Sequence, residues 1–239
     1  MNIFVTSIGE KSGKTIFAAG IAGVMQSLGY EMAVCKPVQT GCKYANDKQF
    51  SPDLNFIKKI DPNIKTYSAF NYKYDTIPCI AADAERIKFS MEKVMRTYNN
   101  AVQENDIVIV EGIGGISTPL TSRLTVADMI CSMKLPIIIV VNVENDFVNK
   151  TLMTFRTAEH YNLEVLGIIF NKYSPTDQKN PYHSSVKLLE EMSHCDVLGY
   201  LDNVDIRGEG INPENLISET LQTINLPKVF NMEIPRLNF

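Results

Sequence analysis

Gly9-Glu10-Lys11-Ser12-Gly13-Lys14-Thr15 stands between the apolar run Ile3-Phe4-Val5 and Ile16-Phe17-Ala18-Ala19, so a buried strand passes through a Gly-Lys-Thr turn into a helix. That arrangement is a phosphate-binding loop. Backbone N–H groups at the helix start face phosphate oxygens, Lys14 reaches the terminal phosphates, and the Thr15 hydroxyl can ligate Mg²⁺. Gly9, Glu10, Lys11, Ser12, Gly13, Lys14 and Thr15 are therefore candidate nucleotide contacts. The loop is a variant: the usual first glycine would fall at Ile8, and this chain carries it one place later.

Further polar residues follow apolar runs. Lys36 heads Lys36-Pro37-Val38-Gln39-Thr40-Gly41, where proline ends the strand and leaves the lysine at its tip, close to Lys14. Two ammonium groups beside such a loop suit an anionic transition state of phosphoryl transfer, and Lys11 adds a third. Glu111 ends Ile107-Val108-Ile109-Val110 and precedes the glycine-rich Gly112-Ile113-Gly114-Gly115, the place of a Walker-B acid that holds Mg²⁺. Asp53, in Ser51-Pro52-Asp53-Leu54, reads two ways: as an acidic first-turn residue behind a serine cap, or as another Mg²⁺ ligand. Asn171-Lys172-Tyr173-Ser174 resembles the start of the guanine-reading N-K-x-D pattern without its aspartate, so an amide that reads adenine, and ATP rather than GTP, is expected.

Positioning these tips requires a parallel sheet. Ile3 to Thr6, Met32 to Lys36, Ile107 to Val110, Pro136 to Val141, Val165 to Phe170 and Val197 to Tyr200 read as buried strands. Helices are expected from Gly13 and near Pro52, Ala81, Val126, Asn149, Ser184 and Pro213. The alternation predicts an α/β, P-loop NTPase-like fold, mostly parallel with helices on both faces, in one domain over residues 1–239. Residues 41 to 51 are polar and suit an active-site loop, and the tail after about residue 226 is expected to be loosely ordered or to pack on a neighbouring chain.

Composition narrows the partners. With 45% hydrophobic residues in 239 and a formal charge of −4 without a basic run, neither nucleic acid nor a membrane surface is expected to bind. The longest apolar run, Leu135 to Val141, is far too short to span a bilayer, and no targeting segment precedes the first strand, so a cytoplasmic protein is expected. Five cysteines, Cys35, Cys42, Cys79, Cys131 and Cys195, form no C-x-x-C pair and no ligand pattern with the three histidines, which reads as free thiols rather than a zinc site.

Taken together, Thr6-Ser7 with Ser12-Gly13-Lys14-Thr15, Lys36 to Gly41, Asp53, Val110 to Leu120, Asn149 to Thr154 and Phe170-Asn171-Lys172 resemble the dethiobiotin synthetase family over most of residues 2 to 200. The resemblance implies a homodimer that uses ATP and Mg²⁺ to turn 7,8-diaminopelargonate and CO₂ into dethiobiotin in biotin synthesis. It implies Thr15, Asp53 and Glu111 as Mg²⁺ ligands, Lys14 and Lys36 on the γ-phosphate and carbamate, Thr40 beside the reacting group and Asn171 at the adenine. It also implies a substrate pocket shared between two copies, with Thr118, Pro119 and Leu120 from one and Phe147, Val148 and Asn149 from the other.

The chain departs from that family at Ser7, commonly glycine, at Lys11, commonly glutamate, and at Asp146, commonly glycine beside the expected substrate carboxylate. A corrinoid-type ATP-dependent amide synthetase module is a second reading, but the chain has no glutaminase elbow of the Gly-x-Cys-x-Gly kind. A ParA- or MinD-like switch ATPase is the third. Such switches carry a lysine where this chain has Gly9, and Asn215 to Ile224 lacks the basic amphipathic character of a membrane-targeting helix.

Overall fold

The computed structural model describes residues 1–45, 48–144, 146–202 and 212–233. In chain order the elements are β1 (Ile3–Ser7), α1 (Lys14–Ser27), β2 (Met32–Cys35), β3 (Val38–Gln39), β4 (Lys43–Ala45), β5 (Lys48–Phe50), α2 (Pro52–Ile60), β6 (Lys65–Tyr67), β7 (Phe70–Asn71) and α3 (Pro78–Glu85). There follow α4 (Met91–Glu104), β8 (Ile107–Glu111), α5 (Val126–Met133), β9 (Ile137–Asn142), α6 (Phe147–His160), β10 (Val165–Asn171), α7 (His183–Ser193), β11 (Val197–Leu201), α8 (Pro213–Thr223) and α9 (Leu226–Phe230).

Seven strands form one parallel sheet in the order β11-β10-β9-β1-β8-β2-β6. Alternate residues of each strand enter opposite apolar layers, which is why the strands read as unbroken apolar runs. Ile3 and Val5 pack with α1, α2, α8 and α9, whereas Phe4, Val108 and Val110 pack with helices α3 to α7 on the other face. Helix α1 lies so deep that both Gly20 and Gly23 meet α8 side chains directly. Among the described residues no helix is long and apolar enough to cross a membrane.

The six expected strands and seven expected helices all form. Two sheet-building features escaped the pattern. The edge strand β6, Lys-Thr-Tyr, is short and polar, and helix α4 buries only Val94, Tyr98 and Ala101 along an otherwise polar surface. The α4 start was nonetheless written in the chain, since Ser90 Oγ accepts the Lys93 N–H as an N-cap. The expectation of a loose tail after 226 is corrected for its first turn: Asn225 caps α9, and Leu226, Val229 and Phe230 are fully buried. Residues 234–239 lie outside the described part. Strands β4 and β5 pair antiparallel, with Lys43 opposite Phe50 and Ala45 opposite Lys48.

A methyl group at Gly20 would come within 2.2 Å of Thr220 Oγ1 and 3.2 Å of Thr220 Cβ, a stiff β-branched neighbour. Alanine improves helix propensity by about 1 kcal/mol, yet over-packing a filled interface costs roughly 1–3 kcal/mol. Gly20→Ala should therefore lower stability in urea unfolding, and adding Thr220→Ala should recover the loss. A single variant more stable than wild type would show α8 to be loosely docked.

Candidate active site

The C-terminal edge of the sheet gathers the tips of β1, β2, β8 and β10 around a cleft of about 880 Å³. The central strand β1 lies between β8 and β9, where the chain's crossovers leave in opposite directions and ligands settle in such sheets. The loop after β1 turns into α1 through Gly13, whose φ of 95° and close approach to Asn171, 2.2 Å from a hypothetical Cβ, admit only glycine. No side chain caps α1 and its first turn carries no acid, so its amide N–H groups and helix dipole are left for an anion. Lys11 adopts a left-handed φ of 55° at the cleft edge. Gly9 has open space around its Cα, so glycine is not required there, and it does not line the cleft.

Lys14 Nζ donates to Ser7 Oγ at 2.8 Å, Gly114 O at 2.9 Å and Gly9 O at 3.2 Å. Three acceptors match the three ammonium donors. Burial, helped by the charge of Lys36, lowers the Lys14 pKa from 10.5 to about 8.

Lys36 Nζ is 2.6 Å from both Asp53 Oδ2 and Glu111 Oε1 and donates to Gly112 O at 3.1 Å. Burial opposes its charge, but Glu111 and Asp53 outweigh burial and hold the ammonium above its ordinary value. Glu111 is 0% exposed, and burial pushes its carboxyl up against the opposing pull of Lys36. Thr15 Oγ1 donates to Glu111 Oε1 at 2.7 Å, while Glu111 Oε2 has no hydrogen-bond partner among the described residues. Ser51 caps α2 through the Leu54 N–H, with Asp53 in the first turn, and Asp53 also lines the cleft.

These residues fit a magnesium ion. Thr15, Asp53 and Glu111 offer hard oxygen donors, and the second oxygen of Glu111 is a buried acceptor awaiting a partner.

Glu10, Lys11, Ser12, Gly13, Lys14, Thr15, Lys36, Thr40, Asp53, Glu111 and Asn171 thus meet at one cleft. Asn171 Nδ2 donates to Ser12 O at 3.1 Å, which ties the loop to β10. Of the expected substrate contacts, Leu120 is 1% exposed in the core, and Phe147 is 2% exposed with its ring edge-on to Phe170 and Tyr182; neither lines this cleft. Thr118 accepts the Gly115 N–H and steadies the turn after β8, and Thr118, Pro119, Val148 and Asn149 all lie outside this cleft. Of the stretch after 200 in which residues closing over a base are expected, 203–211 and 234–239 lie outside the described part.

Sequence reading overlooked Gln39, Asp75, Gly114 and Lys172, which also line the cleft. Gln39 stood inside the strand-end motif and its side chain accepts from Ser51, so its place after a strand was a usable signal. Asp75 comes from an exposed turn with no such signal.

An AAA domain family model matches residues 1–207. The chain is 27% identical to the ATP-dependent dethiobiotin synthetase BioD of Bacillus thuringiensis (strain Al Hakam) over 83% of this chain and 81% of the relative. It is 26% identical to the protein of that name from Crocosphaera subtropica, over 85% and 90%. Among solved structures, the MinC:MinD cell division complex of Aquifex aeolicus is similar at a TM-score of 0.62 and 14% identity, covering 100% of this chain and 99% of that one. A ParA family ATPase from Chlorobium tepidum TLS is similar at a TM-score of 0.56 and 12% identity, over 97% and 93%. These last two show the P-loop fold alone. With its phosphate-loop cleft and a family model spanning nearly its whole sheet, the chain belongs to the AAA domain family and resembles its dethiobiotin synthetases.

Proposed function

We propose that this chain is an ATP-dependent ligase that joins CO₂ to 7,8-diaminopelargonate and closes the cyclic urea of dethiobiotin. The observation that carries the reading is the pair of buried lysines, Lys14 and Lys36, facing one cleft with Thr15, Asp53 and Glu111, in a chain similar to named dethiobiotin synthetases. One substrate amine adds to CO₂ and loses a proton to give a carbamate. A carbamate oxygen attacks the γ-phosphorus, and ADP leaves. The second amine attacks the carbonyl carbon of the mixed anhydride, and inorganic phosphate departs as the ring closes.

Every intermediate is anionic, so the site's task is to hold negative charge away from water. Lys14 and the α1 amides hold the phosphates, Lys36 turns from its carboxylates toward the carbamate, and Thr40 hydrogen-bonds beside the reacting oxygen. Magnesium held by Thr15, Asp53 and Glu111 neutralises phosphate charge when bound. Asn171 reads adenine through its amide, one of whose two N–H groups donates to Ser12 O. A second copy completes the substrate pocket, with Thr118 and Pro119 from one protomer and Val148 and Asn149 from its partner. A cytoplasmic location goes with this reading.

The likeness to MinD and ParA folds favours one other reading, a switch ATPase that needs no small substrate. ADP release with ATP, Mg²⁺ and bicarbonate decides between them. Release that depends on diaminopelargonate, with a product heavier by one carbonyl, is the expected result. Release indifferent to the diamine would overturn the synthetase.

Lys36→Ala should cut turnover by roughly a hundredfold or more, the scale of losing one charge-stabilising donor, while ATP affinity stays within a few fold. Equal losses in both would make Lys36 structural. Alkaline pH should weaken nucleotide binding, because the phosphates need the charged form of Lys14, whose pKa in the free protein is about 8. Calorimetric affinity should hold below that pH and fall above it. Folding stability runs the opposite way for this group: the unfolded chain keeps its proton up to about 10.5, so stability rises with pH between the two values. Affinity flat to pH 10 would take Lys14 off the phosphates.

A further inference from the structure

Ser7 is fully buried at the tip of β1, and its hydroxyl faces the lysine of the phosphate loop. Besides accepting from Lys14 Nζ at 2.8 Å, Ser7 Oγ lies 2.6 Å from Gly9 O and 3.1 Å from Gly114 O. Those two carbonyls are also the other two acceptors of Lys14. The ammonium therefore has no donor left for a phosphate while it sits there.

We propose that Ser7 is a positioning residue that acts through Lys14, its hydroxyl seating the ammonium between the phosphate loop and the Gly112–Gly115 turn until terminal phosphates draw it out. The inference rests on the nucleotide reading above. When the lysine departs, the Ser7 hydroxyl still donates to Gly9 O, and the Gly9 N–H at 3.4 Å has the same oxygen to turn to. Gly114 O lies 3.1 Å from the same oxygen, but one O–H serves one carbonyl at a time, so release leaves the other of the two without its ammonium donor. Of the three acceptors, Ser7 Oγ is the one that a side-chain substitution removes without touching the backbone.

Ser7 thereby sets how much of the phosphate contact is spent on releasing the lysine. The penalty falls on ligands that reach Lys14, which are those with β- and γ-phosphates, and spares AMP. A structural serine would affect all ligands alike or none.

Calorimetric titration of wild type, Ser7→Ala and Ser7→Thr with Mg²⁺ and ATP, ADP or AMP tests this. Ser7→Ala should bind ATP more tightly by roughly tenfold or more, about the worth of one hydrogen bond to a charged group, with AMP unchanged. Ser7→Thr, which restores the hydroxyl, should return to wild-type affinity. Should Ser7→Ala fail to fold, Ser7→Cys keeps the volume with a weak acceptor, and the same direction is expected. Unchanged or weaker ATP binding, or an equal shift for AMP, would overturn the role of Ser7 alone. Wild-type protein that binds no ATP would overturn the nucleotide reading as well.

Discussion

The fold is anchored by a buried charge. Glu111 is removed from water at the tip of β8, and an uncompensated carboxylate there would cost several kcal/mol. Lys36 from β2 answers it at 2.6 Å, Thr15 from α1 adds a hydroxyl, and Asp53 from α2 reaches the same ammonium. Four elements are thus pinned at one point. The parallel register of β2 on β8, from Met32 opposite Ile107 to Cys35 opposite Val110, brings both charged residues to the same edge of the sheet. A slip of one residue would turn an apolar layer toward the wrong face and separate the pair.

Beside this network the cleft is close to neutral at rest, with Lys14 and Lys36 set against Glu111 and Asp53. The two ammonium groups repel, and each is held by acceptors of its own: backbone carbonyls and Ser7 for Lys14, carboxylates for Lys36. A polyphosphate entering such a site brings more negative charge than the free α1 amides alone offset. On the proposed reading a divalent cation carried in with the nucleotide would restore the balance, and Glu111 Oε2, which has no hydrogen-bond partner among the described residues, would suit it. Lys11 and Lys172 at the rim add positive charge where Glu10 and Asp75 subtract it.

Legibility followed burial. Strands buried on both faces announced themselves as apolar runs, and the polar residue that ended each run marked the site, as Lys36, Glu111 and Asn171 show. What stayed hidden had weaker physical signatures. β6 is an edge strand whose Lys65 is exposed, α4 shows the core only a narrow stripe, and Asp75 enters the cleft from a turn. Leu120 and Phe147 stand next to motifs in sequence, yet their side chains pack in the core. Ser7 was visible as an oddity, yet its meaning needed the carbonyl of Gly114, more than a hundred residues away in sequence.

Asp146 shows how a departure in sequence becomes a physical constraint. Its φ of 67° is left-handed, so the turn into α6 demands a residue that tolerates this conformation, and aspartate does so at less cost than most. The backbone thus accounts for a position commonly held by glycine without any reference to charge. The charge remains a consequence: the exposed carboxylate sits at the N-cap of α6 without bonding the helix, and Glu144 nearby is already neutralised by Lys172 at 2.7 Å. A helix N-terminus favours one negative group, and here the chain supplies it. On the proposed reading, a substrate carboxylate at Asn149 would approach an end already balanced, and the helix would hold it by hydrogen bonds more than by its dipole.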